Sequence, residues 1–105
     1  MATGIIFTLD TGDLESVSTL LSNGAMTDAF LNAVAAINST RLDAMMAESK
    51  SLPISDLDTV LADLRHVGEV IDLEWRDVYA ERLEQIEADI VFQRLRAKNG
   101  EFAFS

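Results

Sequence analysis

The feature that most constrains the fold is an apolar series in the second half of the chain, which recurs every three or four residues. This spacing places apolar side chains on one face of an α-helix. Leu64, Trp75 and Ile86 are eleven residues apart, close to three whole turns, so a nearly straight helix keeps them in line. The series therefore predicts one helix from Asp56 to Lys98, about 65 Å long at 1.5 Å per residue. Its apolar members are Leu57, Val60, Leu64, Val67, Ile71, Trp75, Val78, Leu83, Ile86 and Ile90.

Three local signals set the limits of this long helix. Pro53 precedes it, because proline removes a backbone donor and disfavours helix in the residue before it. Gly68 is the point at which the helix either bends or continues straight, since a glycine inside a helix costs about 1 kcal/mol relative to alanine. Asn99-Gly100 is expected to end it, because glycine accepts the left-handed conformation that follows many helices.

Two shorter helices are predicted between residues 10 and 49. Asp10 is placed as the cap of the first, which runs from about Thr11 to Ser22 and stops at Gly24. Thr27 is placed as the cap of the second, which ends near Ser49. Both assignments rest on apolar residues three and four positions apart.

The two ends of the chain are predicted to be short extended arms. Ile5–Leu9 and Phe102–Phe104 are apolar and rich in β-forming residues, so each arm either pairs with the other or adds a strand to a neighbouring chain. The predicted fold class is all-α, a single domain over residues 1–105 built as a three- to four-helix bundle or a helical hairpin. Its parts are an arm over 1–9, two helices over 10–49, a long helix over 54–98 and an extended tail over 101–105.

Composition narrows the function. The net charge of −10 disfavours direct binding to nucleic acid, whose phosphates need Lys and Arg, and to anionic membranes. No apolar stretch approaches the length of a membrane span. With no cysteine, the chain has no disulfide and no thiol chemistry. The expected location is the cytoplasm, or a virion if the chain comes from a phage.

One short motif has a catalytic counterpart. Leu9-Asp10-Thr11-Gly12 follows an apolar run and resembles the Asp-Thr-Gly motif of retroviral-type aspartic proteases. The resemblance implies that Asp10 of two chains would share a proton in a dimer. It ends at Asp13, where the family has alanine, and the family is nearly all β. A helix cap explains the same residues, so no catalytic residue is predicted.

A second pattern has a metal-binding counterpart. Asp63, His66 and Glu69 follow one another at three-residue steps, which places them along one side of a helix, as in the carboxylate–histidine pairs of helical metal proteins. Such a site needs a second pair from another helix, and this chain has one histidine. We therefore predict neither a metal nor a cofactor.

The leading prediction is a non-enzymatic protein–protein interaction subunit. A straight helix of 65 Å would be only partly covered by the two shorter helices, so its apolar stripe would need a partner chain or a second copy. The predicted role is an oligomerising structural or assembly adaptor of a larger complex, such as a phage virion or tail. The predicted interface consists of Trp75, Val78, Tyr79, Leu83, Ile86 and Ile90 on the helix, and Ile5, Phe7, Phe102 and Phe104 on the arms.

The alternative is an acidic inhibitor that mimics nucleic acid, as some anti-CRISPR proteins do. Residues 55–89 carry eleven acids, and these would stand in for phosphates at a basic site on another protein. A single stripe of carboxylates would support this alternative, whereas neutralisation of them by Arg76 and Arg82 would argue against it. Such binding would weaken steeply with salt, whereas apolar assembly would not.

Overall fold

The computed structural model describes residues 3–48, 50–96 and 99–104. Two strands are followed by two helices, a short strand, two further helices and a last strand. The elements are, in order, β1 (Thr3–Thr8), β2 (Leu14–Leu21), α1 (Gly24–Ala36), α2 (Thr40–Ala47), β3 (Leu52–Pro53), a 3₁₀ turn (Ile54–Asp56), α3 (Leu57–Val70), α4 (Leu73–Arg96) and β4 (Glu101–Phe104).

The strands form an antiparallel sheet, so the prediction of an all-α bundle is wrong and the fold class is α+β. Within the described ranges the sheet has four strands in the order β2-β1-β4-β3. β1 pairs with β2 on one side and with β4 on the other. The expectation of extended segments at both ends is confirmed. Of the two pairings considered for them, the structure shows the one within the chain.

The segment predicted as the first helix is the turn and second strand of a β-hairpin. The Gly12 N–H donates to the Leu9 carbonyl, and the Leu9 N–H donates to the Asp13 carbonyl. Gly12 has a φ of 91°, and a three-residue hairpin loop needs such a left-handed residue at its last position. The residues assigned to a helix cap therefore reverse the chain between two strands.

Irregular register explains why β2 resembles a helix in sequence. Gly4 of β1 lies opposite Thr19, whereas Ile6 lies opposite Ser16, so β2 contains an extra residue between these pairs. A second irregularity lies between Thr3 and Gly4. Bulges of this kind interrupt the two-residue alternation by which a strand is recognised. The apolar spacing that remains in β2 is close to that of a helix.

The second predicted helix is two helices, and it begins earlier than expected. Asn23 caps α1, with its side-chain oxygen accepting a hydrogen bond from the Met26 N–H at 2.9 Å. Asn23-Gly24, which was predicted to stop a helix, thus starts one. Asparagine and glycine are favoured at both kinds of helix end, so the dipeptide alone does not give the direction.

α1 ends at a left-handed residue that the sequence prediction missed. Asn38 has a φ of 55°. Its N–H donates to the Ala35 carbonyl, and the Ser39 N–H donates to the Val34 carbonyl, which is the Schellman arrangement. Ser39 also caps α2 through its hydroxyl, which accepts from the Leu42 N–H at 3.2 Å. Two adjacent polar residues therefore end one helix and begin the next.

The single long helix predicted over 54–98 is wrong, because the chain breaks at Ile71 and Asp72 into α3 and α4. Ile71 is extended, with a ψ of 150°, and its side chain is buried. Gly68, the predicted point of bending, lies inside α3. The longest dimension of the described chain is 39 Å, far short of a straight helix of about 65 Å.

The core lies between one face of the sheet and the helices. Ile5 and Phe7 of β1 are fully buried, whereas Ile6, on the opposite face of the strand, is half-buried. The rings of Phe7 and Phe102 pack with centroids 6.2 Å apart. Phe102 belongs to β4, so the last strand completes the core that the first strand begins. In the part of the chain that the structure describes, no helix is long and apolar enough to cross a membrane.

The hairpin geometry predicts a difference between two glycine substitutions. Gly12→Ala should lower the free energy of unfolding by about 1 kcal/mol, because a side chain at a left-handed φ is strained. Gly24→Ala is the control: it lies in the first turn of α1, and an added Cβ meets no atom within 4 Å. Urea denaturation followed by Trp75 fluorescence measures both. Equal or higher stability of Gly12→Ala relative to Gly24→Ala would contradict the hairpin turn.

Candidate protein-binding surface

An acidic stripe runs along the exposed face of α4. We define it as Glu74, Asp77, Glu81 and Glu84, all of which are exposed. Their spacing of three, four and three residues confines them to an arc of about 80° on a helix with 3.6 residues per turn. Along the axis they span about 15 Å. The stripe is therefore a single row of carboxylates rather than a ring around the helix.

The negative charge of this stripe is not compensated by any basic side chain that the structure describes. Among the side chains that the structure describes, none forms an ion pair with any of the four carboxylates. Arg65 of α3 instead binds Glu87, with 2.8 Å between Nε and Oε1, on the flank of α4 that faces α3. Arg41 lies 3.9 Å from Asp63, also away from the stripe. The negative charge of the stripe faces solvent.

Arg76 and Arg82 of α4 point away from the stripe. Arg76 donates from Nη2 to the Ile71 carbonyl at 2.9 Å, which fixes its guanidinium against the link between α3 and α4. Arg82 is half-buried, and its Nη1 atom has no solvent exposure. At about 100° per residue, both positions lie outside the arc of the stripe. Neutralisation of the carboxylates by Arg76 and Arg82 would have argued against nucleic-acid mimicry. The positions of the two arginines show no such neutralisation of the stripe.

Tyr79 sets the rotation of α4 that turns the stripe outward. Its side chain is fully buried, and its hydroxyl donates to the Leu64 carbonyl of α3 at 2.6 Å. The ring packs against Phe30 of α1 with centroids 6.1 Å apart. A Cβ at Gly68 would lie 3.2 Å from Tyr79 Cε1, so glycine leaves room for the ring. Burial, and secondarily the charge of Glu87, raises the pKa of the Tyr79 phenol above its ordinary value.

Most of the predicted interface residues lie in the core. The buried ones are Tyr79, Leu83, Ile86, Ile90, Ile5, Phe7 and Phe102. Trp75 and Phe104 are half-buried, and Val78 is exposed. These residues face the interior because the chain turns back between α3 and α4 and because both of its ends join the sheet. The surplus of apolar surface on which the interface prediction depended is largely covered by the chain itself.

Two of the residues considered for catalysis and metal binding, Asp10 and Asp63, have structural partners. The Asp10 carboxylate accepts a hydrogen bond from the Asn99 N–H at 2.9 Å, which ties the hairpin turn to the segment before β4. Asp63 accepts from the Ser39 hydroxyl at 2.9 Å, whereas His66 and Glu69 are exposed. Within the described residues, no group of three His, Asp or Glu side chains is arranged to hold a metal ion.

A groove between α1 and α2 is a separate surface feature. It encloses about 670 Å³ and shares no residue with the acidic stripe. Small side chains, including Ala35 and Ala47, keep it open, and Met46 and Val34 give it an apolar lining. The hydroxyl of Ser39, which also lines it, is engaged with Leu42 and Asp63. The groove therefore offers mainly apolar contact.

Comparison with known proteins gives no relative: no family model matches the chain, and no curated protein or solved structure shows significant similarity to it.

The stripe was visible in part from the sequence. An acidic run from Glu81 to Asp89 is evident, and such a run on a helix is typical of a solvated face. The helical rotation that joins Glu74 and Asp77 to Glu81 and Glu84 follows from the three- and four-residue spacing. Arg76 is oriented by a contact with the carbonyl five residues before it, but no sequence pattern predicts that contact or the orientation of Arg82.

The environment of Tyr79 predicts how stability depends on pH. The pKa of Tyr79 is raised in the folded chain. The tyrosine of the unfolded chain, with a pKa of about 10, therefore ionises at a lower pH than that of the folded chain. The free energy of unfolding should therefore fall as pH rises above about 10. Tyr79→Phe should lower stability near neutral pH by about 1 kcal/mol, through loss of the hydrogen bond to Leu64, and should show a smaller fall at high pH. Urea denaturation at a series of pH values measures both. Parallel pH profiles for Tyr79→Phe and the unchanged chain would contradict this role.

Proposed function

We propose that this protein is a non-enzymatic binding protein whose acidic stripe occupies a basic, nucleic-acid-binding surface on another protein. The observation that carries the proposal is the row of Glu74, Asp77, Glu81 and Glu84, which has no basic partner among the described side chains. Charged side chains in a row on a rigid helix attract a basic partner at long range and fix its orientation. Binding through the stripe would exclude nucleic acid from the partner.

The spacing of the stripe supports competition with nucleic acid. Its charges follow one another about every 5 Å along the axis of α4, of the same order as the one phosphate per about 3.4 Å along one strand of duplex DNA. A groove that binds phosphates with Lys and Arg can therefore meet several carboxylates at once. The net charge of −10 favours approach to such a groove as well.

The proposed role involves no catalysis. Asp10, considered from its resemblance to the aspartic proteases, and Asp63, considered as a metal ligand, are engaged in hydrogen bonds that hold the fold. We place the protein in the cytoplasm, or in a virion if it comes from a phage.

Neutralising the stripe is the direct test. In the variant Glu74→Gln, Asp77→Asn, Glu81→Gln and Glu84→Gln, a synthetic peptide of alternating Lys and Gln should bind at least tenfold more weakly than to the unchanged chain. The affinity of the unchanged chain should fall steeply with salt, because exposed charges are screened. Isothermal titration calorimetry at low and at physiological ionic strength measures both quantities.

A matched variant separates the stripe from overall charge. Asp28→Asn, Asp43→Asn, Glu48→Gln and Glu101→Gln removes the same number of negative charges from exposed positions outside α4. We expect this control to retain most of the affinity. Affinity capture from the source cell should likewise retain a nucleic-acid-binding protein with the control and lose it with the stripe variant. Equal loss in both variants would show that net charge, and not the stripe, drives binding, and would reject the proposed site.

A second candidate function, an oligomerising assembly subunit, is favoured by β2. This strand lies at one edge of the sheet, where a second strand can add. Leu14 at its start is 64% exposed. Edge pairing of two copies would join their sheets into one and cover this side chain.

Light scattering over a range of concentrations tests the second candidate. The unchanged chain should form dimers, and Leu14→Lys should shift the equilibrium toward monomers, because a charge at the edge opposes strand addition. A monomer at every concentration would reject self-assembly and leave the acidic-stripe proposal untouched.

A further inference from the structure

The turn between α3 and α4 exposes two large apolar side chains. We call the residues from Glu69 to Glu74 the α3–α4 corner. Within it, Leu73 is 78% exposed and Val70 is 42% exposed, whereas Ile71 between them is buried. Exposure of this degree in a leucine has no role in the core. Ile71 holds the corner to the protein, and its two apolar neighbours project from it.

The corner is held in one conformation by backbone hydrogen bonds. The Ile71 N–H donates to the Val67 carbonyl at 2.8 Å, and the Trp75 N–H donates to the Asp72 carbonyl at 2.9 Å. The guanidinium of Arg76 binds the Ile71 carbonyl at 2.9 Å. An apolar side chain on such a fixed turn loses less conformational freedom on binding than one on a mobile loop.

Every ionisable side chain of the corner is acidic. Glu69, Asp72 and Glu74 are exposed and flank Val70 and Leu73 in alternation. Glu74, next to Leu73 in the sequence, is also the first member of the acidic stripe, so the corner and the stripe share a residue. The basic residue nearest in sequence, Arg76, is committed to the Ile71 carbonyl.

We infer that Leu73 and Val70 enter an apolar socket on the partner protein, and that Lys and Arg residues ring this socket within the partner's basic surface. This inference rests on the proposed function and specifies the chemistry of the partner. A surface that recognises only phosphates offers no apolar contact to a leucine side chain. A socket of apolar lining and basic rim matches the corner in both polarity and charge.

The socket supplies specificity that the stripe lacks. Charge attraction alone brings the stripe to any basic surface, whereas an apolar side chain gains affinity only where an apolar surface covers it. Covering one leucine side chain is worth about tenfold or more in affinity. This gain does not depend on salt, because no charge is involved.

Two synthetic peptides with equal numbers of lysines test the inference. One alternates Lys with Gln, and the other combines Lys with Leu so that it forms a helix with an apolar face ringed by lysines. The unchanged chain should bind the Lys–Leu peptide about tenfold more tightly than the Lys–Gln peptide. Leu73→Ser should remove this preference while its affinity for the Lys–Gln peptide, and the salt dependence of that affinity, stay the same.

Val91→Ser is the matched control, because Val91 is an apolar residue of the same helix, 63% exposed, outside the corner. It should keep the preference for the Lys–Leu peptide. Circular dichroism should show both variants folded, since neither side chain is buried. Equal binding of the two peptides to the unchanged chain, or a preference that survives Leu73→Ser, would overturn the inference and leave the proposed function in place. Salt-independent or absent binding of both peptides would reject the proposed function and the inference with it.

Discussion

The packing of Tyr79 is the interaction on which the rest of the structure depends. Its ring fills the space left by Gly68, contacts Phe30 of α1, and donates a hydrogen bond to α3. One side chain of α4 therefore holds two other helices. Because a buried hydroxyl without a partner is costly, α4 has little freedom to rotate about its axis. That fixed rotation turns the carboxylates of the stripe to solvent.

Pairing of the two chain ends is the second constraint. β1 lies between β2 and β4, so the first and last described strands are neighbours in one sheet. Phe7 and Phe102 join them in the core, and the Asp10 carboxylate binds the backbone just before β4. Most apolar residues that the sequence offered for an intermolecular interface are used in closing the chain on itself. The charged face of α4, the corner before it, the edge strand β2 and the groove between α1 and α2 lie at the surface.

The distribution of charge separates two kinds of acidic residue in this protein. Glu87 and Asp63 lie near basic side chains between helices and contribute to the arrangement of α2, α3 and α4. Such exposed or half-exposed pairs add little to stability. The four acids of the stripe have no such partners among the described residues. They repel one another along the helix, a small cost that a binding surface offsets once a basic partner is present.

The sequence by itself determined the acidity of the chain, the positions of the extended ends, and the helical character of residues 57–70 and 73–96. Each of these three features follows from composition or from strong local periodicity. It did not determine the β-hairpin, because bulges in β2 interrupt the alternation by which a strand is recognised. It did not determine the break at Ile71 either, because the apolar spacing continues across that residue. Both depend on which side chains the assembled core can cover. Arg76 is fixed locally, by the carbonyl five residues before it. Tertiary structure alone decided that Ile71 turns inward, that Arg82 faces away from the stripe, and that Leu73 stays exposed, since the packing of α3 and α4 against the rest of the chain sets which side chains are covered.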